Sequence, residues 1–166
     1  MEKNKKSIYL ANPLGFTEAG RHFLHEKLIP TIEDLGYTVI NPFEEISKEE
    51  VEEAKASDFK EREENLKELD RGMGESNRKS IENCDIVIAV LEGSDVDSGT
   101  AAEVGYATGI GKKIIGYRSD FRLSSENIGT EINLQVQYFI EKSGGRIFDS
   151  LDELRSFLTR CSTEGN

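Results

Sequence analysis

Two carboxylates six positions apart, Asp97 and Glu103, follow an apolar run in the segment DIVIAVLEGSDVDSGTAAEVG, residues 85–105. Residues 86–91 are apolar without alternation, the pattern of a central parallel strand covered on both faces. The run ends in a loop bearing Asp95 and Asp97. A helix is predicted from Thr100, with Glu103 in its first turn. Unpaired amides and the positive end of the dipole at a helix N-terminus would hold that carboxylate ionised at neutral pH. An ionised carboxylate in a cleft can displace a leaving group at an anomeric carbon. A second carboxyl ~5 to 5.5 Å away serves as acid and then base in a retaining mechanism. Asp97 is the candidate for that second group. The same residues admit a plainer reading, because Thr100-Ala101-Ala102-Glu103 fits a capping box in which the Glu side chain bonds back to the N-cap amide. As a cap alone, Glu103 would be worth ~1 kcal/mol of stability.

The elements that must hold these groups are legible as alternating strands and helices. Strands are predicted at residues 7–12 (SIYLAN), 37–42 (YTVINP), 85–91 (DIVIAVL) and 113–117 (KIIGY), with a fifth, short edge strand at 146–148. Helical patterns cover 17–35, a stretch beginning near Ser47, 76–83, 100–110, about 130–142, and 151–158. Pro30 should interrupt the first helix, and Gly36 suits its C-terminal cap. Such alternation implies right-handed crossovers. The predicted fold is α/β, a single domain over residues 1–166 built on an open parallel sheet of about five strands with helices on both faces, Rossmann- or flavodoxin-like. Ligands bind such sheets beyond the carboxyl ends of the strands, here residues 12–20, 42–45 and 92–100. A charged segment at about 44–72, with Val51, Ala54, Phe59 and Leu66 as sparse apolar points, reads as a helical insertion, either a lid over the site or an exposed excursion.

Composition narrows the function classes. The chain has 166 residues and a formal net charge of −11, which opposes binding of a nucleic-acid polymer but not of one small nucleoside or nucleotide. No run approaches the ~20 apolar residues of a membrane span, and the first residues, MEKNKKSIYLAN, lack a signal peptide's apolar region. Cys84 and Cys161 have no metal-ligand spacing, so reduced thiols and a cytoplasmic location are expected.

The pattern Asp97-Ser98-Gly99-Thr100-Ala101-Ala102-Glu103-Val104-Gly105 after a strand beginning CD resembles the nucleoside 2-deoxyribosyltransferase family. The resemblance extends to the opening SIYLANPLGF, the NPFE after the second strand and the INLQVQYFI near the end; only residues 44–70 offer little to compare. It implies that Glu103 is a nucleophile forming a covalent deoxyribosyl-enzyme, and that Asp97 contacts the sugar hydroxyls and helps move protons. Tyr9 would position the nucleophile. Asn133 would reach into a neighbouring subunit's site. One position departs from the pattern: where many relatives carry an aspartate, this chain has Asn77, whose amide can bond a base edge but cannot donate an acid's proton. That departure leans the expected substrates toward purine 2′-deoxynucleosides, with free nucleobases as acceptors. The alternatives are an N-glycosidase acting on 2′-deoxynucleosides or their 5′-monophosphates, and a non-catalytic nucleotide-binding module.

Other residues give weaker signals. Asn12, Gly99, Phe16 and Phe43 are candidate substrate contacts, although core packing is the commoner role for the two phenylalanines. Thr17 and Arg21, at a predicted helix start, suit a 5′-phosphate. His22 and His25 lack a third ligand, and Asp95 with Asp97 makes a weak magnesium signal, so neither metal nor cofactor is expected. Ile132, Leu134, Val136, Tyr138, Phe139 and Ile140 exceed what one buried helix face needs. That surplus predicts a homo-oligomer, dimer or tetramer, with shared sites.

Overall fold

The computed structural model describes residues 5–44, 52, 55–56 and 58–163. Five strands, β1 (Ser7–Ala11), β2 (Thr38–Ile40), β3 (Ile86–Val90), β4 (Lys113–Tyr117) and β5 (Ile147–Phe148), form one sheet in the order β2-β1-β3-β4-β5. Every neighbouring pair is parallel, as the apolar runs and intervening helices predict. The chain passes from β1 to β2 on one side and returns to β3 on the other, so its direction of travel reverses between β1 and β3. This is the flavodoxin-like order, in which ligands occupy the crevice at the reversal.

Period-two alternation sorts the side chains of β1. Ile8 and Leu10 enter one core and Tyr9 and Ala11 the other. The first face is covered by α1 (Glu18–Phe23), a π-helical turn (Leu24–Leu28), α2 (Ile29–Glu33) and α6 (Leu151–Thr163), through Leu24, Leu28, Ile32, Leu154 and Leu158. The second is covered by α3 (Phe59–Asn83), α4 (Ser98–Gly109) and α5 (Leu134–Lys142), through Ile81, Val104, Ala107, Val136 and Ile140. Each buried aliphatic side chain of this kind contributes ~1.5–3 kcal/mol. Tyr9 pairs with Val87 across β1 and β3 and is wholly buried.

Pro30 breaks the first helix as expected. Its ring crowds the carbonyl four residues back and it has no N–H to offer. The chain widens into the π turn, closed by Ile29 N–H donating to Leu24 O, before α2 resumes. Gly36, at φ 86°, ends the element and donates to Glu33 O at 2.8 Å.

Other boundaries move. α3 is one helix of 25 residues rather than a separate helix over 76–83. Gly72 and Gly74 weaken it by ~1 kcal/mol each but do not forbid it. The helix start near Ser47, with Val51, Ala54 and the side chain of Phe59, lies outside the described residues. α4 starts at Ser98 rather than Thr100, and α5 at Leu134 rather than about 130, because Asp97 and Asn133 cap them. Among the described residues no helix is long and apolar enough to cross a membrane.

Candidate active site

The site is built where β1 and β3 meet. The loop after β3 turns through Gly93, at φ 109°, buries Val96, and ends at Asp97. Asp97 Oδ2 accepts the Thr100 N–H at 2.9 Å and its hydroxyl at 3.3 Å, so Asp97 is the N-cap of α4. The capping box expected from Thr100 and Glu103 therefore does not form. Glu103 lies in the second turn, beyond the reach of the helix-end amides, which overturns the expectation that those amides hold it ionised. A cap three residues earlier than the capping box suggests shifts every position behind it.

Freed from capping, Glu103 turns to the sheet. Its Oε1 accepts the Tyr9 hydroxyl at 2.6 Å and the Asn77 side-chain amide at 3.4 Å. Residues 94, 68 and 26 positions apart in sequence, Tyr9, Asn77 and Glu103, thus converge on one oxygen through β1, α3 and α4. Burial pushes the Glu103 carboxyl above the usual range. The Tyr9 hydrogen bond opposes that shift and the nearby Asp97 charge adds to it.

α3 is held for this task by its neighbour. Arg78 grips Glu75 through two bonds, at 2.9 and 2.7 Å, and also bonds Glu82, which accepts the Tyr106 hydroxyl from α4. That chain of bonds stands next to Asn77 and fixes its approach to Glu103.

The other candidate residues divide. Gly99 is exposed in the first turn of α4, and a Cβ there would sit 3.1 Å from Asp97 Oδ2, so the glycine keeps that carboxylate open. Asn12 is buried and committed to its loop, donating to Leu10 O at 2.8 Å and accepting from Leu14 N at 3.1 Å. Phe16 and Phe43 are not core residues. They stand 72% and 38% exposed, edge to face with centroids 5.0 Å apart, at the carboxyl ends of β1 and β2. Gly15 makes the pair possible, since a Cβ there would lie 2.4 Å from the Phe43 ring. Thr17 caps α1 through Gly20 N at 3.0 Å, and Arg21 donates to Gly15 O from an exposed position.

Asn133 is not brought to Glu103 of its own chain. It caps α5, accepting from Gln135 N at 3.0 Å and Val136 N at 3.4 Å. It also lines a cavity of about 270 Å³ with Asp95, Val96, Ala101, Gln135 and Phe139. Ala101 and Glu103 are two positions apart on α4, roughly 200° around the helix, so this cavity lies across α4 from Glu103. A larger concavity of about 770 Å³ runs along α3 beside Glu64, Glu68 and Arg71 and holds none of these residues. His25 lies 3.5 Å from Glu44. Among the described residues no group of three or more His, Cys, Asp or Glu side chains is arranged for a metal.

Arg118 and Glu92 escape a reading of the sequence. Arg118 directly follows β4, is 4% exposed, and donates to Leu91 O and, at 3.0 Å, Gly93 O. Glu92 accepts from Ser119 N, Ser119 Oγ and Asp120 N at 2.7, 2.6 and 3.0 Å. The only signal was an arginine immediately behind an apolar strand at the ligand-binding edge.

A half-buried carboxyl with a phenol and an amide on one oxygen, beside a second carboxylate at a helix cap, is equipped for displacement at an electrophilic carbon with proton transfer nearby. The fold is shared with a conserved protein from Enterococcus faecalis V583, at 20% identity over 94% of this chain and 98% of that one, TM-score 0.70. It is shared also with a 2-desoxiribosyltransferase from Leishmania mexicana, at 22% identity over 93% and 97%, TM-score 0.62. A CMP N-glycosidase from Clostridium botulinum matches at 20% identity over 92% and 98%, TM-score 0.57. No curated protein sequence matches the chain. The family model for nucleoside 2-deoxyribosyltransferase matches residues 8–135, a stretch that contains Tyr9, Asn77, Asp97, Glu103 and Asn133. By that match over most of its length, the chain belongs to the nucleoside 2-deoxyribosyltransferase family.

Proposed function

We propose that this single-domain chain exchanges the base of 2′-deoxynucleosides by double displacement, as a nucleoside 2-deoxyribosyltransferase of nucleotide salvage in the cytoplasm. The observation that carries the reading is the Tyr9 hydroxyl on Glu103 Oε1 at 2.6 Å, at the reversal between β1 and β3. Both hydrogen bonds to Glu103 fall on Oε1, which leaves Oε2 to attack C1′. The C1′–N bond breaks as the C1′–O bond forms, and the base leaves with a proton. A nitrogen of the acceptor base then attacks C1′ and releases Glu103.

Asp97 contacts the sugar through the part of its carboxylate not used by Thr100 and moves protons during both steps. Asn77 bonds the base edge without protonating it. Purine nucleosides are the preferred substrates in this reading, because a purine ring nitrogen can take its proton from water. Phe16 and Phe43, exposed at the strand ends, stack on the base. The opposed directions of Ala101 and Glu103 support a homo-oligomer in which Asn133 serves a partner's site.

A second reading gives the intermediate to water, making an N-glycosidase. It is favoured by the exposed Arg21 beside Thr17, a place for a 5′-phosphate, and by the fold shared with the CMP N-glycosidase. The idle binding module loses its main support, since it made Glu103 a cap. Incubation with a panel of deoxynucleosides, their monophosphates and free bases, read by chromatography, tests both enzyme readings. A new nucleoside appearing only with acceptor base supports transfer, and free sugar or sugar phosphate supports hydrolysis. A 2-fluoro sugar analogue should leave a covalent adduct on Glu103. Neither product nor adduct would sink both readings.

A further inference from the structure

We propose that Arg118 and Glu92 form a reciprocal clamp that sets the loop carrying Asp97 and the start of α4, so that Arg118 is a positioning residue for the reaction. The inference rests on the reading of Glu103 and Asp97 given above. Two loops leave the sheet side by side at the carboxyl ends of β3 and β4. Arg118 bonds the first through Leu91 O and Gly93 O and the second through Arg122 O at 2.7 Å and Ser124 Oγ at 3.4 Å. Glu92 bonds in the opposite direction, from the first loop to the backbone and hydroxyl of the second. Arg118 N–H also donates to Phe148 O at 2.9 Å, which ties the clamp to the sheet edge.

Stability alone is a poor account of this arrangement. The Arg118 side chain is almost fully buried, and its acceptors are carbonyl and hydroxyl oxygens rather than carboxylates. A buried charge is costly to desolvate, and apolar side chains of similar volume commonly serve stability as well or better. What an apolar residue cannot supply is a rigid fork spanning two loops, and the short Lys ammonium cannot supply it either. The carbonyl of Gly93 reaches Arg118 from a left-handed conformation, at φ 109°, that side chains other than glycine rarely adopt. The loop is therefore gripped at its front by Arg118 and Glu92. At its back it is gripped by buried Val96 and the Asp97 cap. Asp97 and the helix bearing Glu103 follow directly from that grip.

The test compares the wild type with Arg118→Lys and Glu92→Gln, measuring kcat and KM for a deoxynucleoside, the rate of adduct formation with the 2-fluoro analogue, and thermal unfolding. Displacing a catalytic group by about 1 Å can cost up to about 100-fold in rate. Arg118→Lys should therefore lose about 10- to 100-fold in kcat and in adduct formation alike, with KM within about threefold of wild type. Glu92→Gln, with a weaker neutral acceptor at a partly exposed position, should show the same split at smaller size. If Arg118→Lys does not fold, Glu92→Gln decides. A folded variant with wild-type kcat, or a loss that tracks only the folded fraction, overturns the clamp while leaving the Glu103 reading intact. A wild type with neither turnover nor adduct overturns both.

Discussion

Glu103 is a carboxyl group kept from full hydration, and its environment has consequences for stability as well as for chemistry. Its acidity in the folded chain is weakened chiefly by burial, so the folded state prefers the proton more than the unfolded state does. Stability is then lost as pH rises from the ordinary value of 4.5 through the raised one. Glu103→Gln keeps an oxygen for Tyr9 and removes the charge. At pH 7 it should abolish activity and raise the unfolding midpoint, each ~1 kcal/mol gained appearing as roughly 2–4 °C in a chain of this size. The gain should vanish below pH 4.5, and a lower midpoint at pH 7 would contradict the buried-carboxyl account. Tyr9→Phe removes the bond that opposes the shift. The acid limb of kcat/KM should therefore move to higher pH than in the wild type, and an unmoved limb would separate Tyr9 from the ionisation of Glu103. Asp97→Asn offers a third check, because asparagine caps helices as well as aspartate. Thermal stability should stay near wild type while kcat falls about 100-fold or more, the usual worth of a positioned acid–base group. Unchanged turnover would leave Asp97 as a cap and nothing else.

At the scale of elements, glycines separate the packed corners of the fold from its open surfaces. A Cβ on Gly145, where α5 turns into β5, would lie 1.6 Å from Ile114 O, a backbone atom that cannot move aside. Gly145→Ala should cost about 2–3 kcal/mol or more, in the range of severe overpacking. Gly72 and Gly74 meet nothing within 4 Å and lie inside α3. Gly72→Ala and Gly74→Ala should each stabilise by ~0.5–1 kcal/mol through helix propensity and a less flexible unfolded chain. Urea unfolding of the three variants would expose an error in either element if the order came out reversed. The same helix shows how local reading fails. The sequence predicts a separate helix over 76–83, yet that stretch is the end of one helix that begins at Phe59, anchored there by buried Ile81 and the Arg78–Glu82–Tyr106 bonds.

At the scale of the molecule, the surface retains apolar side chains that its own core does not take up. Val136 and Ile140 of α5 are buried, but Leu134 and Tyr138 remain 48% and 51% exposed, and Phe121 in the preceding loop is 94% exposed. A contact with a second copy would cover them and carry Asn133 toward another Glu103. Mixing inactive Glu103→Ala and inactive Asn133→Ala proteins under subunit exchange should restore activity, because a mixed dimer contains one intact site of two. Recovery should approach roughly a quarter of wild-type sites in an equimolar mixture of dimers. No recovery despite demonstrated exchange would return Asn133 to its role as the cap of α5.

The strand segments, the parallel sheet and the neighbourhood of Asp97 and Glu103 were legible in the sequence because each rests on a local signal. An unbroken apolar run such as residues 86–91 can only be a doubly covered strand or a buried helix, and flanking helices decide between them. Pro30 and Gly36 acted as their backbone chemistry requires. What the local signal could not decide was which of two side chains three positions apart would cap α4. Asp97 and Thr100 both suit the position, and burial of Val96 and Val104 on one side of the loop and helix selects Asp97. That choice moves Glu103 out of the capping turn and onto Tyr9. Its acidity changes sign with the move: a helix end would have lowered the carboxyl's pKa, whereas the sheet and α3 around it raise it. The meeting of Tyr9, Asn77 and Glu103, and the grip of Arg118 on the β3 loop, depend on contacts between residues far apart in the chain, and only packing of the whole sheet brings those together.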